Sequence, residues 1–180
     1  MPAPPQAVLL ARDGTLIEHV PYLRDPGDVI VRPGTREALA RLRTSAVKLF
    51  LFTNQSGVSR GLFAMADVEA VNRRMVELLD LGTDVFAGVC IAPELPEDVP
   101  VYRKPSPRFI DETLAAHGLP RERAWMIGDS PVDWEAGINA GVNVAAIVPD
   151  PRAPKAPERR AELNVAAYPT LVDWLDAVWS

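Results

Sequence analysis

Four short segments of this chain gather side chains suited to handling a phosphoryl group. Arg12-Asp13-Gly14-Thr15 and Gly128-Asp129-Ser130, with Asp133 one turn on, supply carboxylates. Two or three carboxylates with water oxygens make a hard-cation site that suits Mg2+. Thr53-Asn54-Gln55-Ser56-Gly57 and Arg103-Lys104-Pro105 supply a hydroxyl, backbone N–H groups and an ammonium, which suit a dianionic phosphoryl group. Carboxylates alone would repel that group, and a metal ion between them removes the conflict. A carboxylic acid close by could protonate a departing alkoxide. Each residue also has a plainer reading. Asp13 before Gly14 can stabilise a turn, Asp129 and Asp133 can favour a helix N-terminus, and Lys104 can be a solvated charge. The plain readings hold singly and strain when all four segments must be explained together.

The elements between these segments place them at one edge of a sheet. Ala7–Ala11 is a continuous apolar run, as in a strand buried on both faces. Val47–Phe52, Val85–Ala92, Ala124–Ile127 and Val142–Val148 are read as further strands. Helices are predicted over Arg36–Arg43 with Thr35 as cap, Asp67–Leu79, Pro107–His117 ending at Gly118, Pro131–Ala140 and Leu171–Trp179. Strands alternating with helices predict an α/β fold: a Rossmann-like three-layer α/β/α sandwich around a mostly parallel sheet of five or six strands. Such sheets bind ligands beyond the carboxyl ends of their strands, where all four segments fall. The length predicts one domain over 1–180 with a core at about 7–148. A stretch over 149–169 rich in proline, alanine and arginine is expected to wrap the surface, and a closing helix to fill 170–180.

In this order the segments resemble the haloacid dehalogenase superfamily of phosphatases. That family has Asp-x-Asp-Gly-Thr after its first strand, Thr or Ser after the second, then Lys, then Gly-Asp-x-x-x-Asp. Here these stand as Ala11-Arg12-Asp13-Gly14-Thr15, Thr53, Lys104 and Gly128-Asp129-Ser130-Pro131-Val132-Asp133. The wording around Thr53 and Lys104 looks most like the small capless branch, which includes heptose bisphosphate and histidinol phosphate phosphatases. The resemblance implies a magnesium-dependent phosphomonoester hydrolase working through an aspartyl phosphate, with a small phosphorylated metabolite as substrate. Asp13 would be the acid and base, and its backbone carbonyl would bind the metal. Asp129 would be a metal ligand and Asp133 a ligand or its support. Thr53, the Asn54 N–H and Lys104 would hold phosphoryl oxygens, and Arg60 and Arg103 a distal anionic part of the substrate. Several members of the branch carry a zinc loop of Cys and His before the motif Lys. This loop has only Cys90 and no histidine, so zinc is not expected.

Position 11, where the resemblance places the nucleophile, is alanine. Alanine has no nucleophile and no metal-binding oxygen, so the loss in rate should be on the order of 10⁴ to 10⁶, and magnesium affinity should fall too. Arg12 cannot substitute, since it is always protonated and strand alternation points it away from the metal side. Two histories fit: a working enzyme changed at one residue, or a natural phospholigand-binding homologue without turnover. A receiver domain also combines Asp, Thr and Lys on a parallel sheet, but there Thr and Lys follow the phosphorylated Asp.

Composition narrows the remaining classes. A net charge of −5 does not favour a nucleic-acid backbone or an anionic membrane. It counts against a polynucleotide 3′-phosphatase, which shares the Thr-Asn-Gln and Arg-Lys-Pro wording. One cysteine excludes an internal disulfide. No apolar run is long enough to span a bilayer, and Met1–Pro5 lacks the charge of a signal peptide. A soluble cytoplasmic protein is expected, with its oligomeric state left open between monomer and dimer.

Overall fold

The computed structural model describes residues 4–150 and 152–179. Six parallel strands form one sheet: β1 (Ala7–Leu10), β2 (Lys48–Asn54), β3 (Gly88–Ala92), β4 (Ala124–Gly128), β5 (Asn143–Ile147) and β6 (Ala167–Tyr168). Their spatial order is β3-β2-β1-β4-β5-β6. The chain thus starts in the middle, runs outward to β3, and returns to β4 on the other side of β1. Residues after β1, β2 and β4 lie side by side at this reversal, the place where an open parallel sheet presents a ligand crevice.

The two faces of β1 follow strict alternation. Val8 and Leu10 face one core with Leu49, Leu51 and Ile127, while Ala7, Leu9 and Ala11 face another with Phe50, Phe52 and Met126. The first core is roofed by α1 (Thr35–Thr44), α2 (Met65–Leu79) and α6 (Leu171–Val178) through Leu39, Met75 and Trp174. The second is roofed by α3 (Arg108–His117) and α4 (Pro131–Asn139) through Ile110 and Ala136. Both faces are covered, which is why the strands read as unbroken apolar runs. The α/β sandwich stands as expected, and the sheet is parallel throughout.

Most element ends lie within two residues of the sequence reading, and three differences bear on the fold. The third strand begins at Gly88, because Val85–Ala87 lead into it through a turn in which the Val85 N–H donates to the Gly82 carbonyl at 3.3 Å. Gly34, at φ 76°, is the residue before α1, and Thr35 is its first helical residue. The segment 149–169 is more than a surface wrap. It holds α5 (Pro157–Glu162) and then β6, which adds the sixth strand through Ala146↔Ala167 and Ile147↔Tyr168. No helix among the described residues is long and apolar enough to cross a membrane.

Candidate active site

A cavity of about 320 Å³ opens over the carboxyl ends of the central strands. Its lining includes Ala11, Asp13, Thr53, Asn54, Arg103, Lys104, Asp129 and Asp133, with Arg12, His19 and Lys155. Every sequence-predicted site residue except Arg60 is therefore brought to one place. Arg60 is exposed on the turn after β2. It lies close enough to Arg103 that its charge adds to the main effect, burial, in lowering the Arg103 pKa, against the pull of Glu94.

Ala11 continues the β1 ladder, its N–H donating to the Ile127 carbonyl at 3.0 Å, and it is only 4% exposed. The chain then turns sharply. The N–H groups of Thr15, Leu16 and Ile17 all converge on the Arg12 carbonyl. Gly14 sits in the left-handed region at φ +76°, and a Cβ there would lie 2.4 Å from Asp129 Oδ2. Gly128 is held in the same way, since its Cβ would meet the Asp133 carboxyl carbon at 2.3 Å. Both motif glycines are thus required by the close approach of a motif aspartate.

Arg12 does more than the sequence reading gave it. Strand alternation puts it on the Leu10 face of the sheet, under α2, and from there its guanidinium still reaches the cavity edge. Its guanidinium is buried and grips the Asp13 carboxylate, with Nε and Nη2 at 3.1–3.2 Å, while Nη1 donates to Asn72 Oδ1 on α2. Gln55 completes the hold: its Nε2 donates to Asp13 Oδ2 and to Thr53 Oγ1, both at 2.9 Å. Gln55 thereby ties the first segment to the second. Its place in the Thr53–Gly57 stretch was the only sequence signal for this role.

Lys104 is 3% exposed and emerges between β2 and α4. Its Nζ donates to Asp133 Oδ1 at 2.6 Å and to the Phe52 carbonyl at 2.7 Å. An ammonium has three donors, so one is left for a ligand. The Asn54 side chain aligns this segment by pairing with the Lys104 backbone, accepting from its N–H at 3.0 Å and donating to its carbonyl at 3.2 Å. Asp133 is fully engaged: Oδ1 takes Lys104, and Oδ2 accepts the Ser130 N–H and Oγ at the start of α4. Trp134, beside it, is packing: fully buried, with its Nε1 donating to the Gly128 carbonyl.

Asp129 is paired differently. Lys155, from the loop after β5, places Nζ 3.1 Å from Asp129 Oδ2. Burial raises the Asp129 pKa, Asp133 raises it further, and Lys155 and Lys104 oppose them. Nothing in the sequence singled out Lys155 among the cations of its stretch, 26 residues beyond its partner.

The loop before Lys104 is closed by a carboxylate. Glu94 Oε1 accepts the N–H groups of Val101, Tyr102 and Arg103 at 2.7–3.1 Å, and Arg103 Nη1 donates to the Glu94 carbonyl.

A hard cation at this site would draw on the Asp13 main-chain carbonyl and Asp129. The donor set is thin. The carboxylates of Asp13 and Asp133 are each committed to a buried cation, Ala11 contributes no oxygen, and no three carboxylate, imidazole or thiol groups converge among the described residues. The residues present do not fit a tightly held magnesium ion. They do fit an anion: three carboxylates face four cations in the lining, a local positive balance in a chain of net charge −5.

Comparison with known proteins agrees with the geometry. The pattern of the haloacid dehalogenase-like hydrolases matches residues 7–141. The D-glycero-beta-D-manno-heptose-1,7-bisphosphate 7-phosphatase of Helicobacter pylori is 34% identical over 139 residues, 76% of this chain and 79% of its own. The D-glycero-D-manno-heptose-1,7-bisphosphate 7-phosphatase of Thermosynechococcus vestitus is 33% identical over 152 residues, 78% and 76% of the two chains. Among solved structures, the D,D-heptose 1,7-bisphosphate phosphatase of B. bronchiseptica, complexed with magnesium and phosphate, superposes with a TM-score of 0.83 at 24% identity, covering 96% of this chain and 97% of that one. This last likeness speaks for the fold.

Proposed function

Because the chain belongs to the haloacid dehalogenase-like hydrolases, we propose that its site takes the phosphoryl group of a small sugar bisphosphate, the substrate class named for its relatives, and holds it with little or no turnover. The observation that carries the reading is the convergence of Thr53, Lys104 and Asp13 around Ala11 at the strand ends. Thr53 Oγ1, the Asn54 N–H and the free donor of Lys104 bind phosphoryl oxygens. Asp13, oriented by Arg12 and Gln55, faces the ester oxygen as proton donor. Arg103 at the rim, with Arg60 beyond it, meets the distal anionic group.

Hydrolysis in this family begins with carboxylate attack on phosphorus, and a methyl group cannot attack. Turnover is therefore lower by about 10⁴ to 10⁶ than in a chain carrying aspartate at position 11. Magnesium, when bound, would neutralise phosphoryl charge. Its donors here are Asp129 and the Asp13 carbonyl, so its affinity is weak. The same fixed groups serve a phospholigand-binding module, and Lys155 on Asp129 favours that non-catalytic reading over a slow enzyme.

The test is phosphate release with magnesium from a panel of phosphate esters that includes sugar bisphosphates, for the wild-type chain and Ala11→Asp. Turnover by the variant alone supports the reading, and the preferred ester names the substrate. Equal turnover by both proteins refutes the role given to position 11.

A further inference from the structure

We propose that the Lys155 ammonium stands in for the divalent cation in this chain, so that the site binds a phosphoryl group without metal. The inference rests on the phospholigand reading above and adds how the anion is held.

The argument begins with charge. Of the three carboxylates in the pocket, Asp13 is matched by Arg12, which is 1% exposed, and Asp133 by Lys104, which is 3% exposed. Asp129 has no such buried partner. It meets Lys155, and the shared oxygen is Oδ2, the one packed against the Gly14 turn. A cation held between the first and fourth segments would draw on this same carboxylate.

The second step is the balance. An aspartate at position 11 with a divalent cation brings a net charge of +1 to the pocket. Alanine at position 11 with one ammonium also brings +1. Exchanging the carboxylate and metal for the methyl and Lys155 therefore leaves the charge offered to a phosphoryl dianion unchanged. Ala11 and Lys155 together thus offer the charge that an aspartate and a divalent cation would offer there.

The third step is reach. The Lys155 side chain is about half exposed and lines the same cavity as Ala11, Thr53 and Lys104. Its four-carbon stem is flexible and its ammonium has three donors. One donor can remain on Asp129 while another meets a phosphoryl oxygen. Losing a charge-assisted contact of this kind weakens anion binding by about ten- to a hundredfold.

The experiment is calorimetric titration of inorganic phosphate into the full chain, in EDTA and in magnesium. The proteins are wild type, Lys155→Gln, Lys155→Arg and the double variant Ala11→Asp/Lys155→Gln, each checked for folding by circular dichroism. Wild type is expected to bind phosphate equally in the two buffers. Lys155→Gln should bind about ten- to a hundredfold more weakly in EDTA, and Lys155→Arg should retain most of the affinity. The double variant should bind only with magnesium. Free-Mn2+ signals in electron paramagnetic resonance should show the double variant taking up the ion and wild type leaving it free. Magnesium-dependent binding by wild type, or an unchanged Kd for Lys155→Gln in EDTA, overturns the stand-in role alone. Phosphate binding by none of the proteins in either buffer overturns the phospholigand reading with it.

Discussion

Replacing Lys104 with methionine separates its two tasks, holding the strand ends together and holding a ligand. The ammonium lies 2.6 Å from Asp133 Oδ1, both side chains are 3% exposed, and the Phe52 carbonyl accepts a second bond at 2.7 Å. Methionine fills the stem but leaves a buried carboxylate uncompensated and a buried carbonyl without its donor. Breaking one side of such a pair costs about 3–5 kcal/mol. Ser130 still donates twice to Oδ2, which favours the lower half of that range. For a chain of this size, that range corresponds to a fall in Tm of about 6–20 °C. Adding Asp133→Asn removes the stranded charge, so the double variant should recover most of the loss, with a coupling energy above about 1 kcal/mol. Phosphate affinity should not recover, because the donor is gone. The assays are urea denaturation and phosphate calorimetry on the four proteins of the cycle. A single-variant cost below about 1 kcal/mol would show that the pair is effectively solvated. Wild-type phosphate affinity in the double variant would refute the ligand role of Lys104.

Gly14→Ala should destabilise by about 1–2 kcal/mol from its left-handed backbone alone, and more from the collision with Asp129, as read by urea denaturation. Loss of phosphate affinity should accompany it. Burial, reinforced by Glu94, raises the Cys90 thiol to about 11, so disulfide reagents at pH 8 should label it only on denaturation. For Glu94, burial pushes the pKa up, but its backbone N–H bonds outweigh burial and the net direction is down. A depressed carboxylate contributes stability that is present above its unfolded value, about 4.3, and is lost as pH falls through the folded one. Glu94→Gln should therefore cost about 1–3 kcal/mol at neutral pH and flatten the acid limb of a stability–pH curve. An unchanged acid limb would show that the loop is held some other way.

The parts of this structure that sequence made legible are those fixed by local pattern. Apolar runs gave the central strands because both sheet faces are covered, and the reversal at β1 brought the polar residues after β1, β2 and β4 together. Three features depended on distant contacts and left no local signal. β6 is two residues long and exists because Ala167 and Tyr168 can pair with β5. Arg12 lies on the α2 side, as alternation implies, but no local pattern shows that its guanidinium turns back onto Asp13. Lys155 lies in a loop of prolines and alanines, and only the folded chain shows that it meets Asp129.

The chemistry of the site follows from how its charges are distributed rather than from any one residue. A phosphoryl dianion needs positive charge that is fixed, partly desolvated and not already spent on a neighbour. Arg12 is spent on Asp13, and two of the three Lys104 donors are spent on Asp133 and Phe52. What remains for a ligand is the third Lys104 donor, the rim guanidinium of Arg103 and the half-exposed ammonium of Lys155. An aspartate at position 11 would add a negative charge beside these groups, and without a second cation it would repel the anion that the pocket otherwise attracts. Alanine removes that repulsion along with the nucleophile. The same substitution that disables attack on phosphorus thus leaves a pocket suited to holding a phosphate ester, and it makes Lys155 sufficient where a divalent ion would otherwise be needed.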